Sequence, residues 1–600
     1  MKAGQLVSRR WIVAFVVASV LAAIAATNVL AQDGAPAPAT TVERKPIRGR
    51  VVDENGRPVD GALVSAMLYG ASGNFAGTAS GTSNREGEFT IPDLDPGLYS
   101  LWVQSPPFVV VEGIPDRGAS PGQSLTIRMA RGAAISGKVV DKDGQPLTGL
   151  HVEPIRVRDD EGHRLDDEST EFRGGVTDDR GEYRLWGLES GTYLLAVGHT
   201  EKYANEPRFL SDRVRTFYPS SNRAGATEVT VRAGDDIANA DIAFRGEAGF
   251  RISGAVIGVP GRKLSPWTRV ELYQAGMSSP DRSATMQFKG DASTFRFEAL
   301  EDGEYQLVAT SWDRDDQDTS ERVTVRVRGA DVTGVRLELQ PTSTLTGRIE
   351  ARAPKPDEAC QAAADGKAPP PLRLGEMAVR ARRVDAKFYR AWTVRPKSDG
   401  EFTVKGLGGS VYRFALDLGD DDAFIERLDR PAAPPATPAK GVASAHAASK
   451  NEGPSLLARD GLSVTRGQSV SGVRFVVARG AARVRGRIVP AKEGDPLPAR
   501  ARVCLVPADA KQKDDVIHYY EVLVERDGTF DVRNVAPGEY FVATRTFPGD
   551  DRPDLEIFPA AWDPKERAAL RAAAERLGIR VTLSPCQRLE SAVITMTPPQ

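Results

Sequence analysis

One residue pair has the spacing of a catalytic metal site, but the pattern is incomplete. His518 and Glu521 stand three residues apart, as in the first half of a His-x-x-Glu zinc site. Such a site also needs a distant histidine as third ligand, and no histidine follows Glu521. We therefore predict no metal site, no cofactor and no catalytic residue, and we interpret His518 and Glu521 as solvated strand positions. The other four histidines, which fall in other parts of the chain, are His151, His163, His199 and His446.

Two further motifs match catalytic patterns by letter only. Residues 118–122 read G-x-S-x-G, but a nucleophile elbow needs a strand before it and a helix after it. Residues 132–138 read G-x-x-x-x-G-K, but Val139 replaces the hydroxyl residue that would hold magnesium. The acidic turn at 141–144 lacks the later glutamate of a calcium loop. We interpret the first two as chance matches and the third as ordinary turn chemistry.

Binding is better supported than catalysis, because three tryptophans fall off the predicted core face of their strands. Trp102, Trp186 and Trp312 each have the opposite parity to the apolar residues beside them. Exposed flat aromatic rings with polar neighbours are typical of carbohydrate-binding surfaces. These three are therefore the candidate ligand-stacking residues. The alternative is that neighbouring strands, loops or domains cover them, since isolated exposed apolar residues are common.

Three cysteines follow the N-terminal segment, and they form no zinc-finger pattern. Cys504 and Cys586 fall in the same C-terminal unit, so they are the predicted disulfide, and Cys360 would be left over. The alternative of three free thiols stays open.

The elements that position these residues belong to a sequence pattern that occurs five times along the chain. In every copy an aromatic residue precedes a tyrosine by ten positions, with turn-type glycines or their replacements before each of the two. Alternate apolar residues around both aromatics predict two short strands, which we interpret as a β-hairpin. The five pairs are Phe89 and Tyr99, Tyr183 and Tyr193, Phe295 and Tyr305, Phe402 and Tyr412, and Phe530 and Tyr540.

A first strand precedes each aromatic pair and has a glycine at its centre. The pattern is apolar-x-Gly-x-apolar, as in Ile47-x-Gly49-x-Val51. Each unit closes with another alternating strand that runs within a few residues into the next unit. The central glycines are Gly49, Gly137, Gly254, Gly347 and Gly486.

The first unit resembles a known family. The strings IRGRVVD at 47–53, GRPVDGA at 56–62, GEF at 87–89 and LDPGLY at 94–99 are similar to the carboxypeptidase regulatory-like domain. The second unit resembles the same family, and the later three look like diverged copies. The resemblance implies a transthyretin-like β-sandwich of about seven strands, grouped with carbohydrate-binding-like folds. It implies no chemistry, since in metallocarboxypeptidases this module is the non-catalytic appendage.

The predicted fold class is therefore all-β, with five tandem sandwiches and one short helix in the last. Asp563 as N-cap, Pro564 at the first position, Glu566 three residues after the cap and Gly578 as stop predict that helix at 564–577. We expect the helix to cross a sandwich edge. Ala/Pro-rich composition predicts mobile insertions near 352–371 and 420–455. The predicted domains are 45–130, 131–248, 249–341, 342–480 and 481–600.

The N-terminus has the pattern of an export signal. A basic start is followed by an apolar run, and small residues at Val29 and Ala31 suit cleavage before Gln32. Residues 1–31 are therefore a predicted signal peptide, with an uncleaved anchor as the alternative. Residues 32–44 are a predicted flexible segment. The bacterial look of the signal predicts a periplasmic, surface or extracellular protein, with membrane contact only through an uncleaved signal.

Composition bounds the function. Lys and Arg number 79 against 81 Asp and Glu, so no basic excess favours nucleic acid. With 57 glycines and 41 prolines in 600 residues, the chain is rich in the turns that many short strands need. We predict a non-enzymatic binding, adhesion or spacer protein whose partners are polysaccharide or another surface protein. The alternatives are an accessory part of a carboxypeptidase system and a structural rod without ligand.

Overall fold

The computed structural model describes most of the chain after the predicted signal peptide. Residues 1–31, and the flexible segment except residue 44, lie outside the described part. Within that part no helix has the length and apolar character needed to cross a bilayer. The described residues are 44–69, 75–115, 118–160, 162, 164–169, 175–198, 207–274, 282–289, 292–313, 316–355, 358, 360, 371–384, 391–429, 456–492, 494–495, 497–498, 501–525, 527–546 and 560–596.

Five successive segments each build their own sheets around their own apolar core, and we name them modules 1 to 5. The predicted all-β fold class is confirmed. The predicted domain limits stay predictions.

Module 1 packs a four-stranded sheet, in the order β4-β1-β7-β6, against a three-stranded sheet, in the order β3-β2-β5. We call the sheet that holds the first strand of a module its first sheet, and the sheet that holds the tyrosine strand its second sheet. The strands are β1 (Lys45–Asp53), β2 (Leu63–Tyr69), β3 (Phe75–Thr82), β4 (Glu88–Leu94), β5 (Tyr99–Gln104), β6 (Phe108–Glu112) and β7 (Ser124–Arg131).

Module 2 has a first sheet in the order β12-β8-β16, with β17 also on β8. Its second sheet has the order β10-β9-β13-β14, with β11 on β9 and β15 on β13. The strands are β8 (Ala133–Val140), β9 (His151–Arg158), β10 (Arg164–Ser169), β11 (Gly175–Val176), β12 (Glu182–Leu188), β13 (Gly191–Val197), β14 (Thr216–Phe217), β15 (Val229–Val231), β16 (Asp236–Ile237) and β17 (Ile242–Ala243).

Module 3 differs because β24 pairs with both β23 and β26 and so joins its two layers into one sheet. The strand order is β20-β19-β23-β24-β26-β18-β22-β21, with β25 on β23. The strands are β18 (Phe250–Ile257), β19 (Arg269–Gln274), β20 (Arg282–Ser283), β21 (Thr285–Lys289), β22 (Ala292–Leu300), β23 (Gly303–Asp313), β24 (Asp316–Ser320), β25 (Val323–Val327) and β26 (Val332–Pro341).

Module 4 has a first sheet in the order β30-β27-β34-β32 and a second in the order β29-β28-β31-β33. Strand β32 corrects the start of the mobile insertion predicted near 420–455, because apolar Phe424 and Leu428 are buried there. Residues 430–455 lie outside the described part. The elements are β27 (Ser343–Ala351), β28 (Ala378–Arg383), β29 (Ala391–Val394), β30 (Glu401–Leu407), β31 (Ser410–Asp417), β32 (Ala423–Asp429), helix α1 (Leu456–Asp460), β33 (Leu462–Val464) and β34 (Ser469–Arg479).

Module 5 has a first sheet in the order β38-β35-β41 and a second in the order β37-β36-β39-β40. The predicted helix is confirmed as α2, where Asp563 Oδ1 accepts the backbone N–H groups of Lys565 and Glu566. The elements are β35 (Ala482–Val489), β36 (Arg502–Pro507), β37 (Tyr520–Leu523), β38 (Thr529–Val535), β39 (Gly538–Arg545), α2 (Pro564–Leu577), β40 (Arg580–Leu583) and β41 (Arg588–Thr595).

Each module begins with a strand that lies antiparallel to the aromatic strand and parallel to one of its last strands, as β1 does with β4 and β7. The central glycine is required by this crowding. A Cβ on Gly49 would lie 2.3 Å from the carbonyl oxygen of Leu125 and 2.7 Å from the ring of Phe89. The repeated glycine and the repeated aromatic ring therefore form one packing unit.

The predicted β-hairpin is wrong, because its two strands do not pair with each other and lie in opposite layers of the sandwich. In module 1, β4 pairs with β1 whereas β5 pairs with β2. The aromatic strand of every module has its penultimate residue in the left-handed region, and the chain then crosses to the other layer. In three modules that residue is not glycine, so sequence inspection overlooks it. The five residues are Asp93, Gly187, Ala299, Gly406 and Asn534.

The tyrosine of each repeat locks this crossing. The hydroxyl group of Tyr99 donates to the carbonyl oxygen of Asp95, four residues earlier, at 3.0 Å. The other four tyrosines make the same bond at 2.7–3.0 Å. This is the tyrosine corner known from other β-sandwiches. A buried ring and a satisfied hydroxyl therefore explain why the repeat keeps tyrosine here.

Candidate functional site

The candidate ligand-stacking residues stand on the outer sheet faces of three different modules. Trp102 on β5 is 39% exposed and Trp186 on β12 is 44% exposed. Strand β23 does extend to Trp312, which is half-buried. The alternation predicted for Trp102 and Trp186 is therefore observed, whereas a role in ligand binding stays a prediction.

Trp102 belongs to a face that carries no charged side chain. The outer face of the second sheet of module 1 includes three cross-strand rows of three residues, and we call these nine residues the Trp102 face. Five of the nine side chains carry hydroxyl groups, one carries an amide, and three are apolar. The rows are Ser80, Ser65 and Trp102; Thr78, Met67 and Ser100; and Thr82, Leu63 and Gln104.

The corresponding face is covered in modules 2 and 5. In module 2, Leu194 and Ala196 are buried with Phe217 of the added strand β14. In module 5, helix α2 lies across this face and buries Phe541 and Ala543. The helix thus covers a sheet face, not the sandwich edge that we expected, because apolar residues occupy that face.

Modules 3 and 4 carry ion pairs on the equivalent face. Glu304 accepts from Arg326 in module 3, and Arg380 lies 2.6 Å from Asp417 in module 4. Among the described residues, module 1 alone has a partly exposed tryptophan in cross-strand rows of uncharged side chains on its second sheet.

Trp186 stands on a different kind of surface, which we call the Trp186 face. Cross-strand pairing places Trp186, Ala134 and Asp236 in one row across β12, β8 and β16. Arg184, on the same side of β12, donates to both carboxylate oxygens of Asp236 at 2.8–2.9 Å and to Ser136 Oγ at 2.9 Å. The indole therefore flanks a shallow floor of small side chains, with an oriented guanidinium–carboxylate pair beside it.

The ion pair of the Trp186 face also affects the protonation of Asp236. The hydrogen bonds from Arg184 hold the pKa of Asp236 below its usual value. The face consequently keeps its charge pattern at every pH above the ordinary range of aspartate.

The most exposed tryptophan was missed by the sequence reasoning. Trp267 is 76% exposed and stands in a turn before β19, where its backbone N–H donates to Ser265 Oγ at 3.2 Å. Parity arguments apply only inside strands, so a tryptophan in a turn escaped them. The available signal was Trp267 directly after Pro266 in a polar stretch.

The predicted disulfide between Cys504 and Cys586 is wrong, because Cys586 pairs with Cys360, 226 residues away. Cys504 lies on β36 beneath helix α2 and is fully buried, and burial raises the pKa of its thiol. Cys586 lies instead in the turn before β41. Its backbone N–H donates to the carbonyl oxygen of Gly480, in the linker from module 4. Membership of one module was therefore the wrong criterion for pairing.

The disulfide is part of a broad junction between modules 4 and 5. The buried amide of Asn534 donates to the carbonyl oxygens of Asp420 and Ala423, both at 2.8 Å. Arg588 of module 5 pairs with Asp422. The start of the predicted 352–371 insertion is fixed here, since buried Glu358 accepts from Arg352 at 2.8 Å. Residues 361–370 lie outside the described part.

The two residues of the partial zinc motif, His518 and Glu521, each contact another protein group. His518 is buried in a 3-10 helix, with Nδ1 3.2 Å from a carboxylate oxygen of Asp515. Glu521 is buried on β37, where its Oε1 lies 3.6 Å from Arg545. Both residues are thus buried, which corrects their interpretation as solvated strand positions. No group of three or more metal-ligating side chains occurs in the described part of the chain.

The other letter matches lie in structural positions. Residues 133–138 of the G-x-x-x-x-G-K match belong to strand β8, and buried Ser120 of the G-x-S-x-G match lies in the loop before β7. The acidic turn is an Asx turn, because Asp141 Oδ1 accepts from Asp143 and Gln145.

The family model of the carboxypeptidase regulatory-like domain matches residues 46–129, which confirms the resemblance for module 1. No curated protein sequence matches the chain.

The solved structures similar to this chain include three Gram-positive proteins. A streptococcal ancillary pilin is 15% identical, with 50% of this chain and 100% of that chain covered and a TM-score of 0.17. The Bacillus anthracis TIE protein is 12% identical, with 64% and 70% covered and a TM-score of 0.13. The minor pilin GBS52 of Streptococcus agalactiae is 15% identical, with 32% and 93% covered and a TM-score of 0.18. At these scores the similarities carry no argument about function.

Proposed function

We propose that the chain is an exported, non-catalytic bacterial binding protein that holds neutral polysaccharide on the Trp102 face of module 1. The observation that carries the proposal is the composition of that face. A partly exposed indole lies in line with Ser65 and Ser80 on an open sheet without a charged side chain.

The chemistry of this face suits an uncharged sugar chain. The apolar side of a pyranose ring stacks on an indole, while its hydroxyl groups exchange hydrogen bonds with side-chain hydroxyls and amides. A flat sheet offers such groups at regular spacing along an extended chain. An anionic polysaccharide would find no cation among the nine side chains of this face to offset the loss of its hydration.

The Trp186 face offers a second contact for the same ligand class. The Arg184–Asp236 pair presents donors and acceptors in a fixed plane beside the indole, which suits neighbouring hydroxyl groups of a sugar. Modules 1 and 2 are in contact where they join, because the backbone N–H of Gly132 donates to the carbonyl oxygen of Pro107 at 3.0 Å.

A non-catalytic role is supported by the fate of every catalytic motif. His518 and Glu521 contact Asp515 and Arg545, and the serine of the G-x-S-x-G match is buried. Export is supported by the signal pattern of residues 1–31 and by the Cys360–Cys586 bond, since disulfides persist in oxidising compartments.

The test is affinity electrophoresis of the full exported chain in gels that contain hydroxyethylcellulose, laminarin or galactomannan, with alginate as anionic comparison. At least one neutral polymer is expected to retard the protein, and alginate is not. Trp102→Ala should weaken the retardation about tenfold, because stacking buries apolar area worth about 1.5 kcal/mol or more. Trp186→Ala should have a smaller effect.

Trp267→Ala is the matched control, because this indole is more exposed than Trp102 but stands on a turn in module 3. Equal losses for Trp102→Ala and Trp267→Ala would show non-specific stacking. No retardation by any neutral polymer would overturn the proposal in favour of a ligand-free spacer. Zinc-dependent release of C-terminal residues from peptides would favour a role in peptidase chemistry.

A further inference from the structure

Among the residues that the structure describes, strand β3 forms an outer edge of the second sheet of module 1. The sheet has the order β3-β2-β5, so the paired side of β3 faces β2 and its other side is an edge. The strand spans Phe75–Thr82 and contains neither a charged residue nor a proline. Such an edge offers a row of backbone N–H and C=O groups to a further strand.

The other modules shorten or charge the equivalent edge. Strand β10 of module 2 has six residues, four of them charged. Strand β20 of module 3 has two residues, and β29 and β37 have four each. Short length and charge are the usual devices that prevent strand addition at an edge, and β3 has neither.

The exposed positions of this strand are Thr78 and Ser80, which belong to the Trp102 face. The core-facing side of β3 lies against β4 near its later end, because a Cβ on Gly81 would lie 2.2 Å from the carbonyl oxygen of Thr90. A further strand would therefore pair at residues 77–80, beside the exposed side chains.

We propose that this edge pairs antiparallel with β3 of a second copy of the chain about a twofold axis. The strand complements itself, because pairing it with its own copy sets no like charges opposite each other and brings together only small side chains past Phe75. The product is a six-stranded sheet in the order β5-β2-β3-β3-β2-β5. An axis perpendicular to the sheet places both Trp102 faces on the same side.

Such a pairing buries less area than a standard interface, so the association is weak and depends on concentration. It does not require the proposed sugar binding. On a polymer with many sites, however, the dimer would bind with two faces at once and gain avidity.

The test is sedimentation equilibrium of the full exported chain over a concentration series. The weight-average mass is expected to rise toward twice the protomer mass. The double variant Thr78→Lys with Ser80→Lys should weaken the dimer at least tenfold, because it sets lysines of both copies against each other. The control is Ser100→Lys with Gln104→Lys, which adds the same charge to the same face on β5 and should dimerise like the parent chain.

A second measurement covers the case in which the lysine variant fails to fold. Thr78→Cys should cross-link to its own copy with a short bismaleimide, whereas Ser100→Cys should not, and native Cys504 is buried. A parent chain that stays monomeric throughout, or equal losses in both lysine variants, would overturn the proposal. Trp102→Ala should leave the association unchanged, so failure of sugar binding and failure of pairing are distinguishable.

Discussion

The second sheets of modules 1 and 5 have similar inner faces but different outer faces. In both, a tyrosine corner and a buried apolar row face the core, through Tyr99 and Tyr540. Outside, module 5 places apolar Phe541 under helix α2, whereas module 1 places Trp102 among hydroxyl groups. The repeated residues therefore determine the sandwich core, and the outward residues determine whether the second sheet is covered.

This difference separates two kinds of outer sheet face within one chain. The covered sheet of module 5 belongs to the module whose junction with module 4 is held by a disulfide and by ion pairs from Arg483, Arg533 and Arg588 to Asp421 and Asp422. No helix or added strand of the described residues covers the corresponding sheet of module 1. We therefore expect substitutions on the two outer faces to have opposite signatures, in stability for module 5 and in binding for module 1.

The largest difference in stability between the two modules should come from Leu570 of helix α2, whose side chain is buried between the helix and the second sheet of module 5. Leu570→Ala should destabilise the contact between helix and sheet by about 2–5 kcal/mol, as large-to-small core substitutions do. Hydrogen–deuterium exchange should show faster exchange in β36 and β39 and unchanged protection in module 1. The paired change Ser100→Ala, on the open face, should alter exchange nowhere. Equal effects of the two would erase the distinction between covered and open sheets.

The disulfide gives the next largest effect, on the module 4 side of the same comparison. Cys360→Ser should lower the stability of the junction by about 2–4 kcal/mol, because the cross-link limits the unfolded chain. In urea unfolding, reductant should lower the stability of the parent chain by the same amount as Cys360→Ser does. Reductant should leave the stability of the Cys360→Ser variant unchanged.

Thiol counting checks the pairing itself. The denatured, unreduced parent chain should take up one alkyl label, at Cys504, and Cys504→Ala should take up none. A parent chain labelled at Cys360 would restore the Cys504–Cys586 pairing that the sequence suggested.

The sequence predicted the inner half of this comparison better than the outer half. Period-two alternation and turn glycines expose the repeat, and Asp563 with Gly578 delimits the helix, because these signals are local. The crossing between sheets was missed because left-handed Asp93, Ala299 and Asn534 are not glycine. The Cys360–Cys586 bond depends on the meeting of two modules, which no local pattern encodes.

The candidate site followed the same rule. Parity along the strands placed Trp102 and Trp186 outward, as the structure has them. The lack of charge around Trp102 depends on the pairing of β2, β3 and β5, so it became visible only when the register was known. Trp267 was overlooked because it belongs to no strand.

A smaller effect tests whether the inner faces are equivalent. Tyr99→Phe and Tyr540→Phe each remove the corner hydrogen bond and leave the carbonyl oxygen of Asp95 or of Ala536 with one partner fewer. Each should reduce the stability of its own module by about 0.5–1.5 kcal/mol. Amide exchange measured module by module should show the two losses within about 0.5 kcal/mol of each other. A much larger loss in one module would mean that the corner does different work in the two copies.

The smallest expected effect is a pH dependence confined to the module 5 side. Burial alone would raise the pKa of Asp531, but the hydrogen bonds from Arg483 and Arg533 outweigh it and the net shift is downward. A depressed carboxyl pKa contributes stability above the unfolded value near 3.9, and that contribution is lost as the pH falls through the folded value. Asp531→Asn should therefore cost about 1 kcal/mol at pH 7 and progressively less below pH 4. Urea unfolding of both proteins between pH 7 and pH 3 measures the gap. Because the Trp102 face contains no titratable side chain, sugar binding should stay constant over the range in which the module 5 gap closes, and a parallel fall of both would show that the two regions are coupled.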